Sequence, residues 1–244
     1  MAKHLHVALF LAVAAQAQVR FHFGVEAGVP LTNTFSTSQI LFEGDGILYD
    51  AYSSETKRLL IGPTIRIELP FGLGVQFDAL YQRINYEQTH NQGKEGGLET
   101  FSHNTADRWQ FPLLVQYRLK FPLLKPFVEA GPSLSHVANG HNTRVVFQTA
   151  LGRTFSSIDQ SNQLTELQHS TVPGLTAGLG VDLHPRFLHI RPEFRYTRWA
   201  SAQFSALSPY AATNIFPASP GTVIPVPAIS SKLDEVDFLL GITF

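Results

Sequence analysis

The feature that most constrains this chain is a two-residue alternation of apolar and polar side chains, repeated in eight separate segments. Side chains on a β-strand point alternately to opposite faces, so a strand with two unlike surroundings shows period two. The first segment sets Val19, Phe21, Phe23, Val25, Ala27 and Val29 against Arg20, His22, Gly24, Glu26 and Gly28. Equivalent segments run through Leu59 to Leu69, Leu73 to Tyr81, Trp109 to Leu119, Val128 to Ser135, Gly174 to Leu183, Leu188 to Thr197 and Val236 to Phe244. Each is about the 9–11 residues that a tilted strand needs to cross a bilayer.

The connections alternate too. Short turns at Pro70-Phe71-Gly72, Phe121 to Lys125 and His184-Pro185-Arg186 join segments two to three, four to five and six to seven. Long polar stretches at 30–57, 87–107, 138–169 and 201–231 join the others and read as structureless loops. Short turns at one end and long loops at the other predict an all-β fold, an eight-stranded antiparallel up-and-down transmembrane β-barrel. The even strand count puts both termini at the turn end. Pro63, Pro112, Pro132, Pro173 and Pro192 fall inside the segments, where each removes a ladder hydrogen bond. The expectation is that bulges at Gly62-Pro63 and Gly131-Pro132 absorb them.

Alternation alone does not say which face looks outward, and composition bears on that choice. Charged residues make up 15% of the chain, below the ~25% usual for soluble domains, while Phe reaches 19 and Gly 18. A soluble ligand-binding barrel would hold the apolar rows inside. The inverted arrangement is favoured because Phe21, Tyr81, Trp109, Tyr117, Tyr196 and Phe244 sit where interfacial aromatic girdles would lie. Its lumen would then hold Arg20, Arg58, Arg66, Arg118, Lys120, Arg191 and Arg195 against Glu26, Glu68, Asp78, Glu129, Asp182, Glu193 and Asp237. Seven cations against seven acids, in a tube only wide enough for side chains, reads as a plug.

The N-terminus reads as a signal peptide over 1–17. Lys3 opens a short positive stretch, Val7 to Ala15 is apolar, and Ala15-Gln16-Ala17 is an A-x-A cleavage site. The barrel domain is then 18–244. This apolar run is shorter than the ~20 residues of a transmembrane helix. The absence of cysteine removes disulfides, thiolate metal sites and cysteine nucleophiles, and a net charge of −1 gives no sign of nucleic-acid binding.

At this point the chain resembles the outer-membrane protein β-barrel domain family of OmpA/OmpX-like and PorT-like barrels. The resemblance rests on Ala15-Gln16-Ala17-Gln18 followed by Phe23-Gly24-Val25-Glu26-Ala27-Gly28, and on Lys125-Pro126-Phe127-Val128-Glu129-Ala130-Gly131-Pro132. A last strand ending on Phe244 is similar to the signal read by the barrel-assembly machinery. The resemblance implies a location in the outer membrane, with outer-membrane lipids around the barrel and the assembly machinery as a partner in biogenesis. It also implies that a ligand or partner protein, if there is one, meets the extracellular loops.

Chemistry is sought and not assigned. No His is followed two residues later by Ser, the pattern of barrel lipid A deacylases; His103-Asn104-Thr105 and His169-Ser170-Thr171 come nearest. His136 beside Ser135 points to the opposite strand face, which defeats a nucleophile–base bond. His90, His103, His141 and His169 fall in or beside loops without metal-ligand spacing. Gly93, Gly96 and Gly97 read as turn formers, and Pro209 to Pro227 as a stiff extended loop. The sequence therefore gives no catalytic residue, no cofactor and no metal site. It points to a non-enzymatic surface binding, adhesion or structural barrel, with a lipid- or peptide-modifying barrel enzyme as the alternative.

Overall fold

The computed structural model describes residues 19–36, 39–43, 47–54, 59–92, 97–119, 121, 124–183, 189–207 and 228–244. The signal segment, Arg58, Lys120, Gly93, Gly96, the His184-Pro185-Arg186 turn and the Pro209 to Pro227 stretch lie outside them. The described strands are β1 (Arg20–Pro30), β2 (Phe35–Ser36), β3 (Gln39–Glu43), β4 (Ile47–Ser54) and β5 (Leu60–Glu68). They continue as β6 (Leu73–Asp78), β7 (Leu80–Gln92), β8 (Leu98–Arg118), β9 (Lys125–Ala150) and β10 (Arg153–Ser161). The remainder are β11 (Thr171–Asp182), β12 (His189–Trp199), β13 (Ser205–Leu207), β14 (Ala228–Ser231) and β15 (Asp234–Thr243). No helix among the described residues is long and apolar enough to cross a membrane.

Eight antiparallel staves close into a ring: β1, β5, β6 with β7, β8, β9, β11, β12, β15 and back to β1. The closure is staggered. Paired residues can be followed from Arg20 to Glu68, Gly74, Gln116, Glu129, Gly178, Arg195, Asp237 and finally Pro30. One circuit thus returns to β1 ten residues above its start, a stagger that tilts the strands into the usual range of about 35–45°.

The faces fall as the alternation predicts. Phe21, Phe23, Val25, Ile65, Phe77, Val115, Leu175, Leu179 and Phe194 stand exposed on the outer wall. Glu26, Arg66, Asp78, Glu193 and Arg195 are buried within it. This is the inverse of a soluble barrel, with an apolar belt where lipid tails would lie.

The prolines are not absorbed by bulges at Gly62-Pro63 or Gly131-Pro132. Register is the same on both sides of each, with Thr64 opposite Asp78 and Ile61 opposite Tyr81, Pro112 opposite Ser133 and Val115 opposite Ala130. Each proline instead costs a rung. Pro63 accepts a bond from the Ala79 amide (3.1 Å) but has no N–H to return, and at Ala79 the third stave breaks into β6 and β7. The freed Ala79 carbonyl leans over Gly62, where any Cβ would collide with it; the Leu113 carbonyl does the same over Gly131. Pro173 sits opposite Ala200, past the end of β12, and Pro192 where the β11–β12 ladder stops. The one register shift between β8 and β9 lies between Thr105 and Asp107, opposite Asn139 at φ 51°.

A second correction concerns the loops. Residues 87–107 and 138–169 are largely strand: β8 spans 21 residues and β9 spans 26. At ~3.3 Å per residue, β9 is about 85 Å long against a hydrocarbon core of ~30 Å. Its far half therefore stands clear of the apolar belt. There it joins β10, β8, β7, β4 and β3 in an open sheet that continues the barrel wall.

Candidate functional site

The inward residues form three tiers of charge. Nearest the turns, Arg118 and Arg66 reach Glu68 at 2.7 and 3.3 Å, and Arg66 also reaches Asp182 at 3.3 Å. His22 lies 3.2 Å from Glu68, His189 lies 3.5 Å from Asp182, and the two imidazole rings meet at 4.9 Å. In the middle, Arg195 contacts four carboxylates: Asp78 at 2.7 Å, Glu129 at 2.9 Å, Glu26 at 3.1 Å, and Glu193. Gln76 donates to Asp78 (3.0 Å), and Gln116 donates to Gln76 (2.7 Å) and Glu129 (2.6 Å). Arg191 bonds Gln76 and lies over the Phe127 ring at 4.2 Å.

Towards the loops, Glu235 accepts from Arg108, Gln110 (3.3 Å) and the Trp199 indole (2.9 Å), and Ser135 links Arg108 to Gln203 at 2.8 Å each. A hydroxyl chain of Ser133, Thr176 and Thr197 crosses three staves at 2.6 and 2.8 Å. Asp237 is buried on β15 below Glu235.

The expected seven-against-seven balance is revised. Arg20 is exposed at the turn end, and Arg58 and Lys120 are not among the described residues. Arg108 and Glu235, which the alternation did not assign, are buried partners. The described lumen thus holds Arg66, Arg108, Arg118, Arg191 and Arg195 against Glu26, Glu68, Asp78, Glu129, Asp182, Glu193, Glu235 and Asp237. It is acid-rich, most strongly around Arg195. The signal for Arg108 was present, since it alternates with Trp109; beginning the segment at Trp109 hid it.

Above the charges the mouth is closed by apolar packing that the sequence reading missed. Phe35, Leu164, Phe204 and Ile229 come inward from connecting segments and pack on the wall residues Ile84, Tyr86, Ala106 and Val137. The Phe35, Tyr86 and Phe204 rings meet edge to face at 5.3–5.9 Å. Tyr86 donates to Glu166 at 2.8 Å, and a small sheet of β13, β14 and β2 ties the cap across the mouth. Phe35, Leu164 and Phe204 each stand alone among polar or small residues and Ile229 closes a proline-interrupted run, so no periodicity announced them.

The candidate histidines are dispersed. His103 lies 3.2 Å from Glu87, His141 3.1 Å from Asn162, His169 3.4 Å from the Ala202 carbonyl, and His90 is buried on β7. His136 bonds Thr171 on the outer surface (2.8 Å) while Ser135 is buried in the lumen. Among the described residues no three His, Cys, Asp or Glu side chains converge as a metal site would need.

Outside, β9 and β10 form a ribbon joined by a two-residue turn, Leu151 at φ 52° and Gly152 at φ 70°. Every residue of β10 is exposed, and β10 is an edge of the twelve-stranded sheet.

The family to which the sequence is matched agrees with this architecture. The sequence model described as outer membrane protein beta-barrel domain matches residues 14–198. Among solved structures, the outer membrane protein OprG from Pseudomonas aeruginosa is 13% identical with a TM-score of 0.48, covering 93% of this chain and 94% of that one. Neisserial surface protein A is 13% identical with a TM-score of 0.28, covering 93% and 99%. Ail, the attachment invasion locus protein of Yersinia pestis, solved with the heparin analogue sucrose octasulfate, is 9% identical with a TM-score of 0.30, covering 92% and 99%. No curated protein matches the chain.

Proposed function

Given that the chain belongs to the outer membrane protein β-barrel domain family and is an outer-membrane barrel, we propose that it is a non-enzymatic surface-binding protein with a closed lumen. The observation that carries this reading is the ribbon. Strands β9 and β10 continue far beyond the apolar belt and present an edge that no described strand covers. By the family's orientation rule the short turns face the periplasm and the long connections face outward. Binding elements are characteristically held clear of the bilayer on such a rigid scaffold.

The lumen offers no comparable surface. Its ion pairs bridge opposing staves at 2.7–3.3 Å, and the apolar cap fills the outer mouth. Partners in this reading are outer-membrane lipids around the belt, the assembly machinery during insertion, and a partner met by the ribbon.

The test is to replace 142–161 with a two-residue turn and to compare adhesion of cells displaying each protein to coated surfaces and to other cells. Heat-modifiable mobility on unboiled gels reports that the shortened barrel still folds. The expected result is retained mobility with adhesion reduced to that of non-expressing cells. Unchanged adhesion would overturn the reading.

A further inference from the structure

Strand β10 carries a pattern that identifies what can pair with it. In a hairpin closed by a two-residue turn, the residues flanking the turn form a hydrogen-bonded pair. Ala150 and Arg153 are that pair, so Arg153, Phe155, Ser157 and Asp159 direct their main-chain groups to β9. Thr154, Ser156, Ile158 and Gln160 therefore direct theirs away from it, to the edge that no described strand covers. Edge strands are commonly protected by lysine, proline or a bulge; β10 has none of these. Phe155 at 58% and Ile158 at 70% exposure stand beside these free groups.

The charges on this strand are arranged symmetrically. Arg153 and Asp159 lie three residues to either side of Ser156. If a second β10 pairs antiparallel with Ser156 opposite Ser156, then Arg153 of each copy faces Asp159 of the other. Both ion pairs fall at non-hydrogen-bonded positions, where opposed side chains approach most closely. Thr154 faces Ile158 and Phe155 faces Ser157, which leaves the two Phe155 rings as diagonal neighbours on one face. Shifting the register by one residue in either direction sets neither charge against its opposite.

From this we infer that β10 is a self-recognition strand whose partner is the β10 of a second copy on an apposed membrane. The geometry requires apposition. The twofold axis of an antiparallel pair is perpendicular to the sheet, and this sheet continues the barrel wall, so the axis lies parallel to the membrane plane. Rotation about such an axis turns the second barrel upside down relative to the first. Copies in one membrane share an orientation and cannot meet this way. The inference rests on the ribbon being the binding element and names its partner. Each contact is small, and many copies on two facing surfaces would act together.

The charge pattern supplies the test. D159R places arginine at both positions, and R153D places aspartate at both; each is then self-repelling, while the two are complementary to each other. Wild-type, D159R and R153D proteins are reconstituted separately into vesicles of uncharged lipid, and clumping is followed by light scattering. Wild-type vesicles are expected to clump, each variant alone to scatter like protein-free vesicles, and an equal mixture of the two variants to clump again. That recovery also shows that both variants are folded. S156P, which removes an outward-facing N–H without touching the β9 ladder, is expected to abolish clumping. Wild-type vesicles that scatter like protein-free ones, variants that clump alone, or a mixture that fails to recover would each overturn self-pairing. Shortening 142–161 separates the two levels. If it abolishes adhesion to coated surfaces while wild-type vesicles never clump, self-pairing fails and the surface-binding reading stands. If it changes neither adhesion nor clumping, both fail.

Discussion

The lumen and the outer ribbon are built from the same strands yet have opposite characters. Within the belt each stave has one face in an apolar surrounding and one in a crowded polar interior, so its residues alternate strictly and its charged groups meet opposite charges across the lumen. Beyond the belt β10 is exposed on both faces and β9 has no buried residue after Val137, so the alternation lapses there, and the outward main-chain groups of β10 meet no described strand. The alternation is therefore strictest inside the belt, where lipid and lumen differ most. It is loosest where the protein can meet something else, which is the general relation between scaffold and loop.

Perturbations of the inner region should produce the largest effects. Arg195→Ala leaves Glu26, Asp78, Glu129 and Glu193 facing one another without their shared guanidinium. Removing one side of a buried charge cluster costs about 3–5 kcal/mol, so the urea midpoint of the refolded barrel should fall steeply. A midpoint within error of wild type would mean that the central cluster contributes nothing to stability.

The cap is expected to respond next, and separately. Phe204 is fully buried among Phe35 and Tyr86, and Phe204→Ala should remove about 3 kcal/mol from cap packing. The expected outcome is rapid proteolytic cleavage near 200–207 with heat-modifiable mobility preserved. Loss of both together would show that the cap and the barrel are one cooperative unit.

Smaller effects test the wall and the ribbon. Pro63→Ala supplies the missing N–H opposite Ala79, and one restored rung is worth roughly 0.5–1.5 kcal/mol net. The new amide should be protected in hydrogen exchange; a freely exchanging amide would show that the β6–β7 break has another cause. Leu151→Gly relieves a bulky residue at φ 52° and should stabilise the ribbon by about 1 kcal/mol at most, read as slower exchange across 142–161.

What the sequence disclosed follows the same division. Val25 against Glu26, or Phe194 against Arg195, identifies the outer and inner faces because lipid and lumen differ so sharply. Arg108 and Glu235 escaped because they lie where alternation fades into the polar stretches next to Trp109 and Val236. Phe35, Leu164, Phe204 and Ile229 could not be foreseen, because the cap draws one or two residues from each of three connections and so few apolar residues carry no period. The prolines were visible but their accommodation was not. A bulge shifts register, whereas a lost rung leaves it intact, and the two are indistinguishable in sequence. Each in-strand proline falls at a gap or an end of its ladder, so the barrel closes at the expense of a few hydrogen bonds.

The central claim, that this barrel holds its lumen shut and acts from its outer ribbon, is tested most directly by conductance. Purified protein inserted into planar bilayers is predicted to give a baseline without steady open levels, before and after Phe204→Ala loosens the cap. The Arg195 and Glu68 clusters below it still bridge the staves. A stable single-channel conductance of porin size in the wild-type protein would contradict the account.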